Sequence, residues 1–374
     1  MVKDGDSHGH PRGRCRACGR HVALSYGTAY YELDTDPARF ELAVRALAEG
    51  NSLRATARIV LTDKDTVCAW LDRAARQCRR VMLLLWHDLH VRECQLDELW
   101  IFIHTKQGHL LGAKAYCDTY GDAWVWLAFA PEWRLVLAFV IGKRTQPYAN
   151  PLLERVRWVT DAHIPFFTSD QWPEYEHALL NTYGEWYPPE RHGQRGRRPH
   201  RRCRPQPGLH YAQVIKIRQR GKGVQVKTRV VFGDAQTVAV DLQTSPVSTT
   251  INARFVERDH LTQRQSNRRL TRRTTGFSKE IGWFEKQLWV SLAYYHWVLP
   301  HHSLRQQLPI AEPTRGRGTP RRWSPVTPAM AAGLTEHVWT TPELLSYRVP
   351  AEFIDRLPII EKVFPDFGEV DHTR

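Results

Sequence analysis

Three acidic residues stand where apolar sequence does not tolerate a charge without a use for it. Asp97 breaks the run "ECQLDELWIFI" between Leu96 and Leu99, Asp170 closes "PFFTSD", and Glu257 follows Phe255 and Val256 in "RFVERDHL". Singly, each has a bland reading: an acid at a strand end is a cap or turn residue, and a glutamate among arginines is an ion-pair partner worth little. Together they point to phosphoryl chemistry. Cleaving a DNA backbone can use two divalent cations about 4 Å apart, one for the attacking oxygen and one for the leaving oxygen. Hard cations take carboxylate oxygens, and Mg²⁺ keeps several waters while using few protein ligands.

The stretch around Glu257 supports this chemistry. Residues 251–273, "INARFVERDHLTQRQSNRRLTRR", read as one helix with seven arginines and only two acids, Glu257 and Asp259. On a helix, positions seven and eleven residues on from Glu257 fall within about 20° of it around the axis, so Arg264 and Arg268 are expected on its side. The glutamate would face metal, and Arg258, His260, Arg264, Arg268 and Arg269 would hold DNA phosphates. Nearby acids compete less well. Glu98 should point to the opposite face from Asp97 by strand alternation, Asp118 and Asp122 in "YCDTYGDAW" read as turn residues, and Asp259 lies on another helix face. Trp172 is expected to pack beneath the site.

The elements that must position these acids are legible as runs. "ECQLDELWIFI", "AWVWLAFA", "LVLAFVIG" and "IPFFTSD" have strand length, and several are apolar on both faces, as in a sheet covered on both sides. Helical patterns at "YANPLLERVRWV" and "WPEYEHALLNTYG" separate them. A loop with seven arginines in fourteen residues, "RHGQRGRRPHRRCR", precedes "YAQVIKIRQRGKGVQVKTRVVFGDAQTVAVDL", read as β-hairpins with Gly221 and Gly233 at turns. The fold class expected is α/β.

Upstream, apolar residues recur at helical spacing in three short segments of residues 36–90. Gly50 stops the first helix, Ser52 caps the second and Asp63 the third. That pattern matches a helix-turn-helix whose last helix enters the major groove, with Lys64, Asp65, Thr66 and Arg73 facing DNA; a plain three-helix bundle is the alternative.

Composition agrees with a polyanion partner. The 374-residue chain has a formal charge of +14 and 14 tryptophans, which fits folded domains that bind nucleic acid. The longest apolar runs are too short to span a bilayer, so no membrane role is expected. No signal peptide is visible, and an odd seven cysteines do not make a disulfide framework. A cytoplasmic, nucleoid-associated location of bacterial type follows.

"LDELW", "TSDQWPEY" and "INARFVERDHLTQRQSNRRLTRRTTGFSKE" resemble the three acidic blocks of bacterial insertion-sequence transposases, specifically the insertion-sequence-1-like family. The likeness extends to "GDAWVWLAFA", "LVLAFVIGKRT", "YAQVIKIRQRGKG" and "TPAMAAGLTEHVWTTPELL". It implies a ribonuclease-H-like mixed sheet flanked by helices over residues 91–300, with a β-hairpin insertion at about 188–250. By the same likeness Asp97, Asp170 and Glu257 are the Asp-Asp-Glu ligands of two Mg²⁺ (or Mn²⁺) ions. The implied function is a DNA transposase that cleaves at the terminal inverted repeats of an insertion sequence and transfers strands into target DNA, as a homo-oligomer. Two positions depart from the family pattern: His260 stands where Asn is usual, and His296 in "YYHWVLPHHSLR" replaces the Asn of Tyr-Asn-Phe. The alternative is therefore a catalytically impaired or repurposed sequence-specific DNA-binding protein.

Residues 1–35, with "HGHPRGRCRACGRHV", look like the second half of a zinc ribbon. Two cysteines cannot close a tetrahedral site. Either His8 and His10 join Cys15 and Cys18 as Zn²⁺ ligands, or the first pair lies upstream of the start used, or the ribbon has decayed. Residues 301–374 read as a Pro- and Arg-rich tail with short helices.

Overall fold

A computed structural model describes residues 2–7, 10–16, 18–112, 119–189, 200–219, 223–314, 316 and 318–365. The chain forms two compact units, Trp86–Thr262 and a second made of Met1–Leu85 with Gln263–Arg374.

The second unit begins with a three-stranded antiparallel sheet of β1 (Val2–Ser7), β2 (His10–Arg14) and β3 (His21–Ala23). Three helices follow: α1 (Pro37–Ala48), α2 (Leu53–Ile59) and α3 (Lys64–Leu85). Their boundaries come from side chains and backbone chemistry. Ser52 Oγ accepts from the Ala55 N–H at 3.2 Å, and Asp63 Oδ1 accepts from the Thr66 N–H at 2.8 Å, each satisfying an otherwise orphan donor. Gly50 ends α1 at φ +84°, and a Cβ there would lie 2.7 Å from the Gln265 carbonyl oxygen. Val67, Trp70, Leu71 and Ala74 form the buried stripe of α3.

The Trp86–Thr262 unit carries a six-stranded mixed sheet. Its strands are β4 (Glu93–Ile103), β5 (Gly121–Ala130), β6 (Leu135–Gly142) and β7 (Phe166–Asp170), then, after the two-stranded ribbon β8 (Gly184–Tyr187) and β9 (Arg202–Pro205), β10 (Tyr211–Gln219) and β11 (Gly223–Phe232). The order is β11-β10-β7-β4-β5-β6. β4 pairs antiparallel with β5 and parallel with β7, and β7 pairs parallel with β10. Every residue of β6 is buried, as its unbroken apolar run requires. Helices α4 (Gln146–Val159) and α5 (Pro173–Tyr183) connect β6 to β7 and β7 to β8.

Three expectations are corrected here. The β10–β11 hairpin is not set apart as an insertion, because β10 joins the central sheet through β7. The segment after Gly233 is a helix, α6 (Ala235–Thr244), rather than a further strand. The Asp234 side chain accepts from the N–H groups of Gln236 and Thr237 in a capping box, and Val238 packs on Phe166 and Ala212. Finally, the arginine-rich helix α7 runs only over Arg254–Ser266. Asn267 then caps a short 3-10 turn at Arg268–Leu270, so Arg268 and Arg269 leave the helix that carries Glu257.

Beyond α7, the helix α8 (Ile281–Ala293) packs on α3 and continues as a π-helical turn, Tyr294–Val298, in which His296 is fully buried. The basic tail holds a hairpin, β12 (Gln306–Glu312) with β13 (Arg321–Ser324), then α9 (Pro328–Ala331), α10 (Thr341–Ser346) and α11 (Ala351–Ile360). His8, Asp118, Gly221 and residues 190–199 of the arginine-rich loop lie outside the described residues, as does the side chain of His10. No described helix is long and apolar enough to cross a membrane.

Candidate active site

Asp97 and Asp170 meet because of sheet register. In the parallel β4–β7 ladder Leu96 faces Ser169, so the next step brings Asp97 beside Asp170. Oxygens of Asp97, Glu98 and Asp170 all lie within 4.8 Å of one another. Glu98 thus joins the cluster, against the alternation expected of it. The Glu98 N–H donates to Asp97 Oδ1 at 2.8 Å, so the Asp97 carboxylate folds back over its own strand. Glu98, one methylene longer, is drawn in by Arg144, whose guanidinium donates to Glu98 Oε2 at 2.9 Å and lies 3.6 Å from Asp170 Oδ2. The Arg144 guanidinium stacks 3.7 Å over the Trp172 ring, which gives that tryptophan its use.

The third expected acid approaches on α7. A polar stripe on β4 and β7 sets where this helix begins. Buried Gln95, two residues before Asp97, accepts at Oε1 from the N–H groups of Phe255 and Val256, both at 3.1 Å, and its Nε2 donates to the Asn252 carbonyl at 3.1 Å. Thr168, two residues before Asp170, donates to the same carbonyl at 2.9 Å. The two strand residues that share a face with the aspartates therefore tie down the helix start, satisfying donors that would otherwise be orphaned. Glu257 sits one turn into α7, half-exposed and ion-paired with Lys216 of β10. It is not among the three acids whose oxygens cluster, yet its charge reaches both Asp97 and Asp170 and favours their protonated forms. His260, one turn further, is largely buried, with Nδ1 3.6 Å from Asp97 Oδ2.

The electrostatics are those of crowded like charges. Burial first, and then the neighbouring Asp170 and Glu98 charges, push Asp97 up to about 8. Burial and Asp170 push Glu98 up to about 7, with Arg144 opposing. Burial raises Asp170 as well, offset by Arg144 and Lys216. Asp170 Oδ1 is buried with no hydrogen-bond partner among the described residues. An all-oxygen donor set, a surplus of negative charge and an orphaned carboxylate oxygen fit a hard divalent cation.

The expected DNA contacts are distributed differently. The Arg73 guanidinium donates to the carbonyls of Tyr31 and, at 3.0 Å, Glu32, and so braces the segment before α1. Thr66 is drawn back to Asp63 and Lys64 is paired with Asp65 at 2.6 Å, both at the start of α3. Arg258 is exposed and bonded to Thr262. Arg264 donates to the Leu270 carbonyl at 3.1 Å. Arg268 is exposed, while Arg269 is partly exposed and donates to Ser278. Cys15 and Cys18 lie in the turn between β2 and β3.

Sequence reasoning missed Arg144, Lys216 and Gln95. Gln95 carried a signal: Glu93, Gln95 and Asp97 alternate along one face of an otherwise apolar strand. Arg144 and Lys216 carried none beyond their charge.

No family model and no curated protein matches this sequence. Among solved structures, the chain is similar to one described as "Mos1 transposase paired-end complex with left transposon end", at 14% identity and a TM-score of 0.17 over 40% of this chain and 59% of that one. It is also similar to "Crystal structure of a pre-cleavage Mos1 transpososome", at 15% identity, and "Crystal structure of the Mos1 Strand Transfer Complex", at 17%, with the same TM-score of 0.17. The match spans less than two thirds of each of those chains, 59% at most. A TM-score that low carries no argument, and the functional reading rests on the site itself.

Proposed function

We propose that this protein is a DNA transposase of the Asp-Asp-Glu type, with a ribonuclease-H-like catalytic unit and a helix-turn-helix formed by α2 and α3. The observation that carries the reading is the gathering of Asp97, Glu98 and Asp170 on adjacent central strands, in a chain of formal charge +14. Asp97 and Asp170, with Glu98 beside them, would hold divalent ions of the Mg²⁺ or Mn²⁺ kind. Bound there, such ions supply activation of the attacking oxygen and stabilisation of the leaving oxygen.

The chain's own residues have separate tasks. Arg144 keeps Glu98 and Asp170 aimed into one space and offsets their charge. Glu257 is the third acid of the set, held ready by Lys216. Gln95 and Thr168 fix the helix that presents it. His260 sits beside Asp97 and limits how that carboxylate can turn. Exposed arginines such as Arg258 position DNA phosphates without reading sequence. The nucleophiles are water for cleavage and a DNA 3′-hydroxyl for transfer, on terminal inverted repeats and target DNA, and pairing two ends calls for an oligomer.

The test is nicking, with Mg²⁺ or Mn²⁺, of DNA carrying the sequences that border the gene, searched for terminal inverted repeats. Asp97→Ala must abolish it, and unchanged activity would overturn the assignment. Two observations favour a second reading, an impaired copy that only binds DNA: Lys216 already pairs with Glu257, and His260 occupies the position of the usual Asn. Specific binding that survives EDTA, with no cleavage in either metal, would select it.

A further inference from the structure

The unit formed by Met1–Leu85 and Gln263–Arg374 holds a cavity of about 610 Å³ that the carboxylate chemistry does not use. Its volume is within the roughly 300–1,000 Å³ typical of ligand sites. Arg54, Lys64, Arg268, Arg269 and Lys279 line it, against one lining acid, Glu280. Lys64 has Asp65 as a partner, but no carboxylate pairs with Arg54, Arg268, Arg269 or Lys279 among the described residues. Arg269 is the telling one. It is only partly exposed; its guanidinium donates to Ser278 Oγ at 2.5 Å and its backbone N–H to Asn267 Oδ1 at 3.0 Å. A partly withdrawn guanidinium with no carboxylate partner is poised to take an anion.

The shape of the wall narrows the anion. Arg268 is laid against the backbone of Gly276, where a Cβ would come within 2.8 Å of its Cγ. Phe277 and Trp283, both partly exposed, add aromatic surface to the same cavity. A duplex backbone rides over a convex or flat basic surface, whereas a recess combining arginines with aromatic rings suits a phosphate together with its unstacked base.

We propose that this cavity takes a nucleotide of single-stranded DNA, its phosphate on Arg268 and Arg269 and its base against Trp283. This rests on the DNA reading above and extends it: the protein would hold an unpaired stretch of strand as well as duplex.

The test compares a fluorescent ten-nucleotide oligothymidylate with a blunt twenty-base-pair duplex, by anisotropy over a salt series, on the full chain. Arg269→Gln is expected to weaken oligothymidylate binding about tenfold and to lower its salt slope by about one. Trp283→Leu should weaken it about fivefold with the slope unchanged and leave duplex affinity as it was. Circular dichroism melts confirm folding, and exposed Arg54→Gln and Lys279→Gln repeat the measurement where Arg269→Gln does not fold. Thymidine monophosphate should compete better than inorganic phosphate. Unchanged oligothymidylate binding in every variant overturns the proposal. Equal weakening of both DNAs by Trp283→Leu, or equal competition by inorganic phosphate, overturns its base-holding part. Failure to bind any DNA instead removes the reading on which it rests.

Discussion

Replacing Asp97 by Asn should make the metal-free protein more stable while abolishing cleavage. The wild-type folded state holds a proton on Asp97 up to about pH 8, whereas the unfolded chain releases it near 3.8. Folding therefore binds a proton across that window, and stability falls as pH rises from about 4 to 8. At roughly 1.4 kcal/mol per pKa unit, the full difference is an upper bound of about 5 kcal/mol at pH 7.5. The side chain is 18% exposed, and an effective dielectric nearer 20 than 4 reduces this to about 2 kcal/mol. For a unit the size of Trp86–Thr262 that is a rise of about 4–8 °C in melting temperature. An asparagine side chain keeps an oxygen for the Glu98 N–H and removes the charge. The assay is thermal melting with EDTA at pH 6 and pH 8. The Asp97→Asn variant should melt higher than wild type, more so at pH 8, and show a flatter pH dependence. Millimolar Mg²⁺ should then stabilise wild type clearly and the variant little. A variant that melts at or below wild type at pH 8, or that gains as much from Mg²⁺, would refute the crowded-carboxylate account.

Four further outcomes follow from the same geometry. Mn²⁺ affinity, measured by calorimetry, should rise steadily from pH 6 to pH 8, because the ion displaces protons from Asp97 and Glu98. Arg144→Ala leaves the buried Glu98 without its cation and should lower stability by about 2 kcal/mol at pH 8 and less at pH 6, where Glu98 takes a proton, as read by urea denaturation. Gln95→Ala removes the acceptor from two N–H groups at the start of α7, which should cost about 1–3 kcal/mol and reduce nicking even in variants that remain folded. Gly50→Ala places a Cβ against the Gln265 carbonyl at a positive φ and should destabilise by at least about 1 kcal/mol in a thermal melt.

Much of the sheet was legible because its strands are unbroken apolar runs, which only burial on both faces explains. The caps at Ser52 and Asp63 were legible too, since one side-chain oxygen at the right offset suffices. What failed depended either on partners distant in sequence or on local caps that outweighed the residue pattern. Glu98 was assigned outward by alternation, and only Arg144, forty-six residues on, explains its turn inward. The segment after Gly233 has strand-like Val and Ala alternation, but the Asp234 capping box decides for a helix. The long arginine helix was overextended because arginine is a good helix former, while Asn267, which breaks it, offers its own side chain as a cap. The contacts of Arg73 with the carbonyls of Tyr31 and Glu32, more than forty residues earlier, carry no sequence signal.

The most direct test of the carboxylate site is anomalous diffraction from crystals soaked in Mn²⁺. A manganese peak bounded by the carboxylates of Asp97 and Asp170, absent in Asp97→Asn, is the expected result. Diffraction that shows manganese elsewhere, with those two side chains still turned to Arg144 and His260, would contradict it.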